Sequence, residues 1–192
     1  MADELANELA ALVERSPRLM TVLQVVRQQA LPDALVFSGA VYQTVWNALT
    51  DRPACYGITD YDVGYYDPDT SFTAEDAVIR GMAAALEPPL RDLVEVRNQA
   101  RVHLWFPHKF GHAYPPLHTT AEALRRFVCP AFAVGVRLES DGRLTVEAPF
   151  GLDDVFGMRL RVNRERGTAA DWDRIITGLV ERWPELVVET RE

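Results

Sequence analysis

Apolar residues recur at helical spacing from the start of the chain. Leu5, Leu9, Leu12 and Val13 fall on one side of a helix over residues 2–15. Ser16-Pro17 then stops and restarts the chain, with Ser16 as N-cap and Pro17 at the first helical position. A second helix runs to about Ala30 with Met20, Leu23 and Val25 or Val26 inward, and Pro32-Asp33 breaks it. The pattern then changes. Residues 34–37 form a short apolar run, Ser38-Gly39 makes a turn, and Ala40 to Leu49 reads as a helix with Val41, Val45 and Leu49 on one face.

Further on, helical and alternating segments interleave. Residues 51–58 read as a loop and Thr59 to Tyr66 as a strand rich in Tyr and Val, ended by Pro68-Asp69. Residues 73–87 predict a helix opened by the capping pattern Thr73 to Asp76 and stopped at Pro88-Pro89. Leu93 to Trp105 reads as one long strand, residues 107–118 as a Pro/Gly/His loop, and 120–127 as a short helix. Residues 131–149 predict a hairpin turned at Asp141-Gly142, followed by one helical turn over 151–157. A second capping pattern, Thr168 to Asp171, opens a helix with Trp172, Ile175, Ile176, Leu179 and Trp183 on one side, ended by Pro184. This order predicts an α+β fold: a mixed sheet flanked by helices, with an N-terminal helical pair and a C-terminal hairpin and helix. We expect one domain over 1–192, with 1–30 extending a core at 34–186.

Composition narrows the function. A length of 192 residues supports a sizeable core, and 48% hydrophobic with 25% charged residues is globular rather than disordered usage. No apolar run approaches the roughly 20 residues that span a bilayer, so no membrane role is expected. The acidic start MADELANELA is neither a signal nor a transit peptide. Cys55 and Cys129 form no CxxC, which argues against a zinc site or disulfide framework, and a cytoplasmic location follows as the expectation. The net charge of -8 disfavours a long nucleic acid, since that affinity comes largely from Lys and Arg on phosphates. A single nucleotide with its own metal remains compatible with a locally positive cleft.

Three segments carry candidate chemistry. In the strand around Thr59 to Tyr66, side chains two apart share a face, which puts Asp60 and Asp62 side by side. Close carboxylates repel, and a bound divalent cation or a raised pKa relieves them. Hard oxygen ligands suit Mg2+ or Mn2+. A solvated acidic strand face is the plainer alternative. Ser38-Gly39 precedes a helix whose N-terminus offers N–H groups and a positive dipole end to phosphate, although a plain glycine turn also fits. Neither a P-loop nor GxGxxG occurs. In Val94 to Leu104, strand alternation puts Glu95, Arg97, Gln99, Arg101 and His103 on one face. Such a face would complete a metal site and bind a triphosphate, or simply carry solvated ion pairs.

The blocks SGAVYQTVW, TDYDVGYYD, VRNQARVHLW and AVGVRLESDGRLTVEAPFGLDDVFG, with the terminal WP, resemble a bacterial family of uncharacterised nucleotidyltransferase-like proteins. That family is similar to the polymerase-beta-like nucleotidyltransferase superfamily, and the resemblance covers roughly residues 35–186. It implies that Asp60 and Asp62 match the metal-binding DxD pair, Gly39 the phosphate-turn glycine and Glu95 the third carboxylate. Arg97 and Arg101 would neutralise phosphate charge, although the superfamily pattern does not demand them, and Ser38 stands before the glycine as a further phosphate contact. It further implies transfer of a nucleoside monophosphate from an NTP to a small-molecule or protein hydroxyl. The alternative is an inactive nucleotide-binding or partner-binding module on the same fold. Two positions depart from the superfamily pattern: Ala40 follows Gly39 where Gly or Ser is usual, and the spacing from Gly39 to Asp60 is long.

The remaining polar and aromatic residues call for less. His108, His112 and His118 read as loop histidines, and Trp46, Trp105, Trp172 and Trp183 as core or groove packing. Asp153-Asp154 reads as charge at a helix start.

Overall fold

The structure, a computed structural model, describes residues 2–166 and 172–189. Helices α1 (Ala2–Glu14) and α2 (Pro17–Gln28) form the N-terminal pair, and Ser16 precedes Pro17 in extended conformation. Then follow β1 (Leu35–Phe37), α3 (Gly39–Leu49), β2 (Tyr61–Tyr65), α4 (Phe72–Ala85), β3 (Val94–Asn98) and α5 (Val102–Phe110). The chain continues through α6 (Ala121–Leu124), the hairpin β4 (Gly135–Leu138) and β5 (Leu144–Glu147), α7 (Asp153–Phe156), β6 (Arg159–Leu160), α8 (Trp172–Arg182) and β7 (Val187–Val188). The architecture is α+β, as expected. No described helix is long and apolar enough to cross a membrane.

Five strands form one sheet in the order β3-β2-β1-β4-β5, and β6 pairs with β7 separately. β2 and β3 are parallel and joined through α4, while β1 is antiparallel to both β2 and β4. The register gives each face its chemistry. Val96, Val63, Val36, Val136 and Val146 are successive partners across all five strands. This valine row packs in the main core with Leu9, Leu23, Val41, Met82 and Trp183. One residue along, the opposite face carries Glu95, Asp62, Phe37, Gly135 and Glu147 as successive partners. Period-two alternation alone produces this division. The acidic face is only partly covered: Leu35 and Phe37 pack with Leu124 and Ala133 in a smaller cluster under α6.

Gly64 in β2 is required by this covering. A Cβ there would stand 2.3 Å from the Phe37 ring and 3.0 Å from Thr120. Two buried indoles tie distant parts of the chain together. Trp46 Nε1 donates to the Val155 carbonyl at 2.9 Å, and Trp183 Nε1 donates to Asn47 Oδ1 at 3.1 Å. Both rings are fully buried, which an indole tolerates once its N–H is partnered.

Several boundaries differ from the sequence reading. The long strand expected from Leu93 to Trp105 ends at Asn98, and the chain turns through residues 99–101 into α5. Asn98 causes the turn. Its Oδ1 accepts from Ala100 N and Asp67 N, both at 3.1 Å, and its Nδ2 donates to the Asp67 and Asp69 carbonyls. A fully buried Asn with all these bonds satisfied outweighs the strand preference of the valines that follow. Strand alternation therefore stops at Asn98 and does not place Arg101 or His103. α5 also takes the first part of the expected 107–118 loop and ends at Gly111 in the left-handed conformation, φ 75°. α4 starts one residue earlier than expected, with Ser71 rather than Thr73 as the capping side chain, accepting from Ala74 N at 3.2 Å. Leu49, expected inward, is exposed at the end of α3. The capping pattern Thr168 to Asp171 lies outside the described residues. The hairpin turns at Asp141-Gly142 as expected, with Gly142 at φ 88°.

Candidate functional site

Asp62 sits in β2 on the acidic face, directly beside Glu95 of the parallel strand β3. Asp60 precedes the strand. Its Oδ1 accepts from Thr59 Oγ1 at 3.3 Å and stands 3.7 Å from where a Gly39 Cβ would be. Burial first, then the charges of Asp60 and Glu95, push the Asp62 carboxyl from 3.8 up to about 7, with Arg97 opposing. Two neighbouring carboxylates thus act on Asp62, and a single arginine does not cancel them. Arg97 itself lies 3.7 Å from Glu95, and both are largely exposed.

This donor set fits a divalent cation chemically. The ligand atoms are hard oxygens, and the charge they accumulate on a part-buried carboxylate lacks its compensation. The carboxylates neighbour one another without converging on a point: among the described residues no three His, Cys, Asp or Glu groups are gathered as a metal cage.

Beside Asp60 lies the start of α3. Ser38 adopts φ 59° ahead of Gly39, an uncommon conformation for a side-chain-bearing residue. Its N–H donates to the Val134 carbonyl at 2.9 Å, and its carbonyl accepts from Val41 N and Tyr42 N. The bend brings the start of α3, at Gly39, next to Asp60. The fold itself would tolerate a Cβ at Gly39, whose nearest contacts would be 3.4 Å to Gln43 Nε2 and 3.7 Å to Asp60. Its absence keeps open the space between the helix terminus and the carboxylate.

A cavity of about 480 Å³ lies over the acidic face. Ser38, Asp62, Glu95, Arg97 and Gln99 line one part of it. Trp105, Phe106, Phe110 and Tyr114 form an aromatic wall from α5 and the loop after it. Phe106 and Phe110 centroids are 4.5 Å apart, and Phe106 and Tyr114 4.6 Å. Arg126 and Arg166 complete that end, and burial holds Tyr114 up at about 12 against the pull of both arginines.

The sequence-predicted residues therefore divide. Asp62, Glu95, Ser38 and Arg97 line the cavity, and Asp60 and Gly39 face each other at its side. Arg101 is elsewhere. Its guanidinium, largely buried, pairs with the buried Glu75 of α4 and lies 5.8 Å from the Phe72 ring. Of the histidines, His112 packs edge-on against Phe106, and His108 and His118 are exposed. Asp154 is buried and ion-paired to Arg161 at 2.8 Å. Sequence reasoning passed over the aromatic wall and Arg126. The density of rings between residues 105 and 114 was the visible signal, masked by reading the segment as strand and loop.

No curated protein matches the chain. A solved structure described as "The NMR structure of the protein reveals a CCA-adding enzyme head domain" shares the fold at a TM-score of 0.75. It is 22% identical, and the match covers 96% of this chain and 96% of that one. The model of a family described as nucleotidyltransferase matches residues 24–188. With β1, the turn into α3, both carboxylate-bearing strands and the cavity inside that span, the chain belongs to this nucleotidyltransferase family.

Proposed function

We propose that the protein is a metal-dependent nucleotidyltransferase that moves a nucleoside monophosphate from an NTP to a hydroxyl on a small molecule or protein. The observation that carries this reading is Asp62, part-buried between Asp60 and Glu95 and pushed to about 7. Asp60 and Asp62 would hold Mg2+ or Mn2+. Such an ion stabilises charge on the attacking and leaving oxygens of an in-line displacement.

The chain's own groups do the rest. The first turn of α3 and the Ser38 hydroxyl hold phosphate oxygens, with the helix dipole favouring their charge. Arg97 offsets further negative charge at the cavity floor. Glu95 accepts the proton of the acceptor hydroxyl as its oxygen bonds to the α-phosphorus. The bond from that phosphorus to the bridging oxygen breaks, and pyrophosphate leaves. A positioned general base of this kind contributes about 10²–10⁴-fold.

Ala40 after Gly39 supports the second reading, a nucleotide-binding module without chemistry, because a hydroxyl contact to phosphate is missing there. Incubation with α-labelled NTPs, Mn2+ and a metabolite or protein pool separates the two. Transfer of label by the wild type and none by a folded Asp62→Asn variant is expected. Binding of NTP with no label transferred favours the second reading, and equal transfer by the variant sinks the first.

A further inference from the structure

The cavity is chemically lopsided. Its lining combines the carboxylates Asp62 and Glu95 with a cluster of Trp105, Phe106, Phe110 and Tyr114 beside Arg126. Tilted rings with neighbouring centroids no more than 6.4 Å apart make a broad π surface. That surface is only partly covered, since Phe110 remains 45% exposed. A π surface facing a cavity stacks planar rings, and every nucleobase has such a face. Arg126 adds direction. Its guanidinium lines the cavity beside Tyr114, on which its charge acts. The guanidinium presents parallel N–H donors, a geometry that matches two adjacent acceptors. Guanine offers them as O6 and N7, whereas adenine offers an acceptor beside a donor amine.

We infer that the aromatic–arginine end of the cavity seats the nucleobase of the incoming NTP, with Arg126 selecting guanine over adenine. This rests on the nucleotidyl-transfer reading above and adds the identity of the substrate's base. Arg126 donates to O6 and N7 while Phe110 and its neighbours stack on the ring. The triphosphate extends toward Ser38 and the carboxylates.

Calorimetric titration of the full chain with GTP and with ATP, each with Mn2+, tests it. GTP binds about tenfold more tightly than ATP to the wild type, the scale of one bidentate arginine–guanine pair. Arg126→Lys keeps the positive charge but loses the fork, so the preference for GTP disappears while ATP affinity holds. Phe110→Ser, at a surface position that the core does not need, weakens both nucleotides about tenfold. Equal affinities in the wild type, or a preference that survives Arg126→Lys, overturn the inference and leave nucleotide binding intact. Should neither nucleotide bind with Mn2+, the inference falls together with the function proposed above.

Discussion

At the residue scale, Asp62 sets the chemistry and bears a cost for it. A carboxyl held near 7 stays protonated in the folded chain at pH values where the unfolded chain has released its proton. The contribution of this group to metal-free stability is therefore greatest below about pH 4, and it falls as pH rises toward 7 by an amount on the order of a few kcal/mol at about 1.36 per pKa unit. Thermal melts without metal from pH 5 to 8 check this, and Mn2+ at pH 8 should restore the lost stability. A metal-free melting temperature that does not fall over that range would count against the buried, crowded state of Asp62. Asp62→Asn makes a paired prediction: at pH 8 without metal it melts higher than the wild type, because the crowded charge is gone, yet it transfers no nucleotide. The two measurements together distinguish a functional carboxylate from a structural one.

At the element scale, the junction between β3 and α5 decides which side chains reach the cavity. Asn98 closes the strand, Glu75 Oε1 accepts from Asn98 N at 2.9 Å, and Arg101 pairs with the same carboxylate. The pair fastens α4 to the start of α5, so that Glu95 and Arg97 stay on the strand while Trp105 and Phe106 swing over the cavity. Removing one partner strands a buried charge. Arg101→Ala should cost about 3 kcal/mol in urea unfolding. Activity per folded molecule should change little, since Arg101 touches Glu75 rather than the cavity. The segment was readable as alternating Val, Glu and Arg up to Asn98. Beyond it the same alternation misleads, because whether Val102 extends a strand or opens a helix depends on what Asn98 bonds to. Those partners lie at Asp67 and Asp69, distant in sequence.

At the scale of the whole molecule, Trp183, directly after α8, closes the fold on α3. Trp183 bonds Asn47, packs against Trp46 at 5.6 Å and fills the space over Gly57, where a Cβ would stand 2.4 Å from the ring. Trp183→Ala should cost about 3–5 kcal/mol by the cavity it leaves, seen as a large fall in melting temperature with no change in Mn2+ dependence. Gly57, at φ 71°, answers to the same contact. The sequence by itself determined the helices and strands from α1 to β3, the hairpin at Asp141-Gly142 and the turn at Ser38-Gly39, because each is a local matter of spacing, capping or conformational preference. Tertiary structure alone decided that Glu95 stands beside Asp62, that Arg101 belongs to Glu75, and that rings of α5 line the same cavity as the carboxylates. Strand register, buried charge pairing and the facing of separate elements are set by contacts between residues far apart in the chain, and no local pattern encodes them.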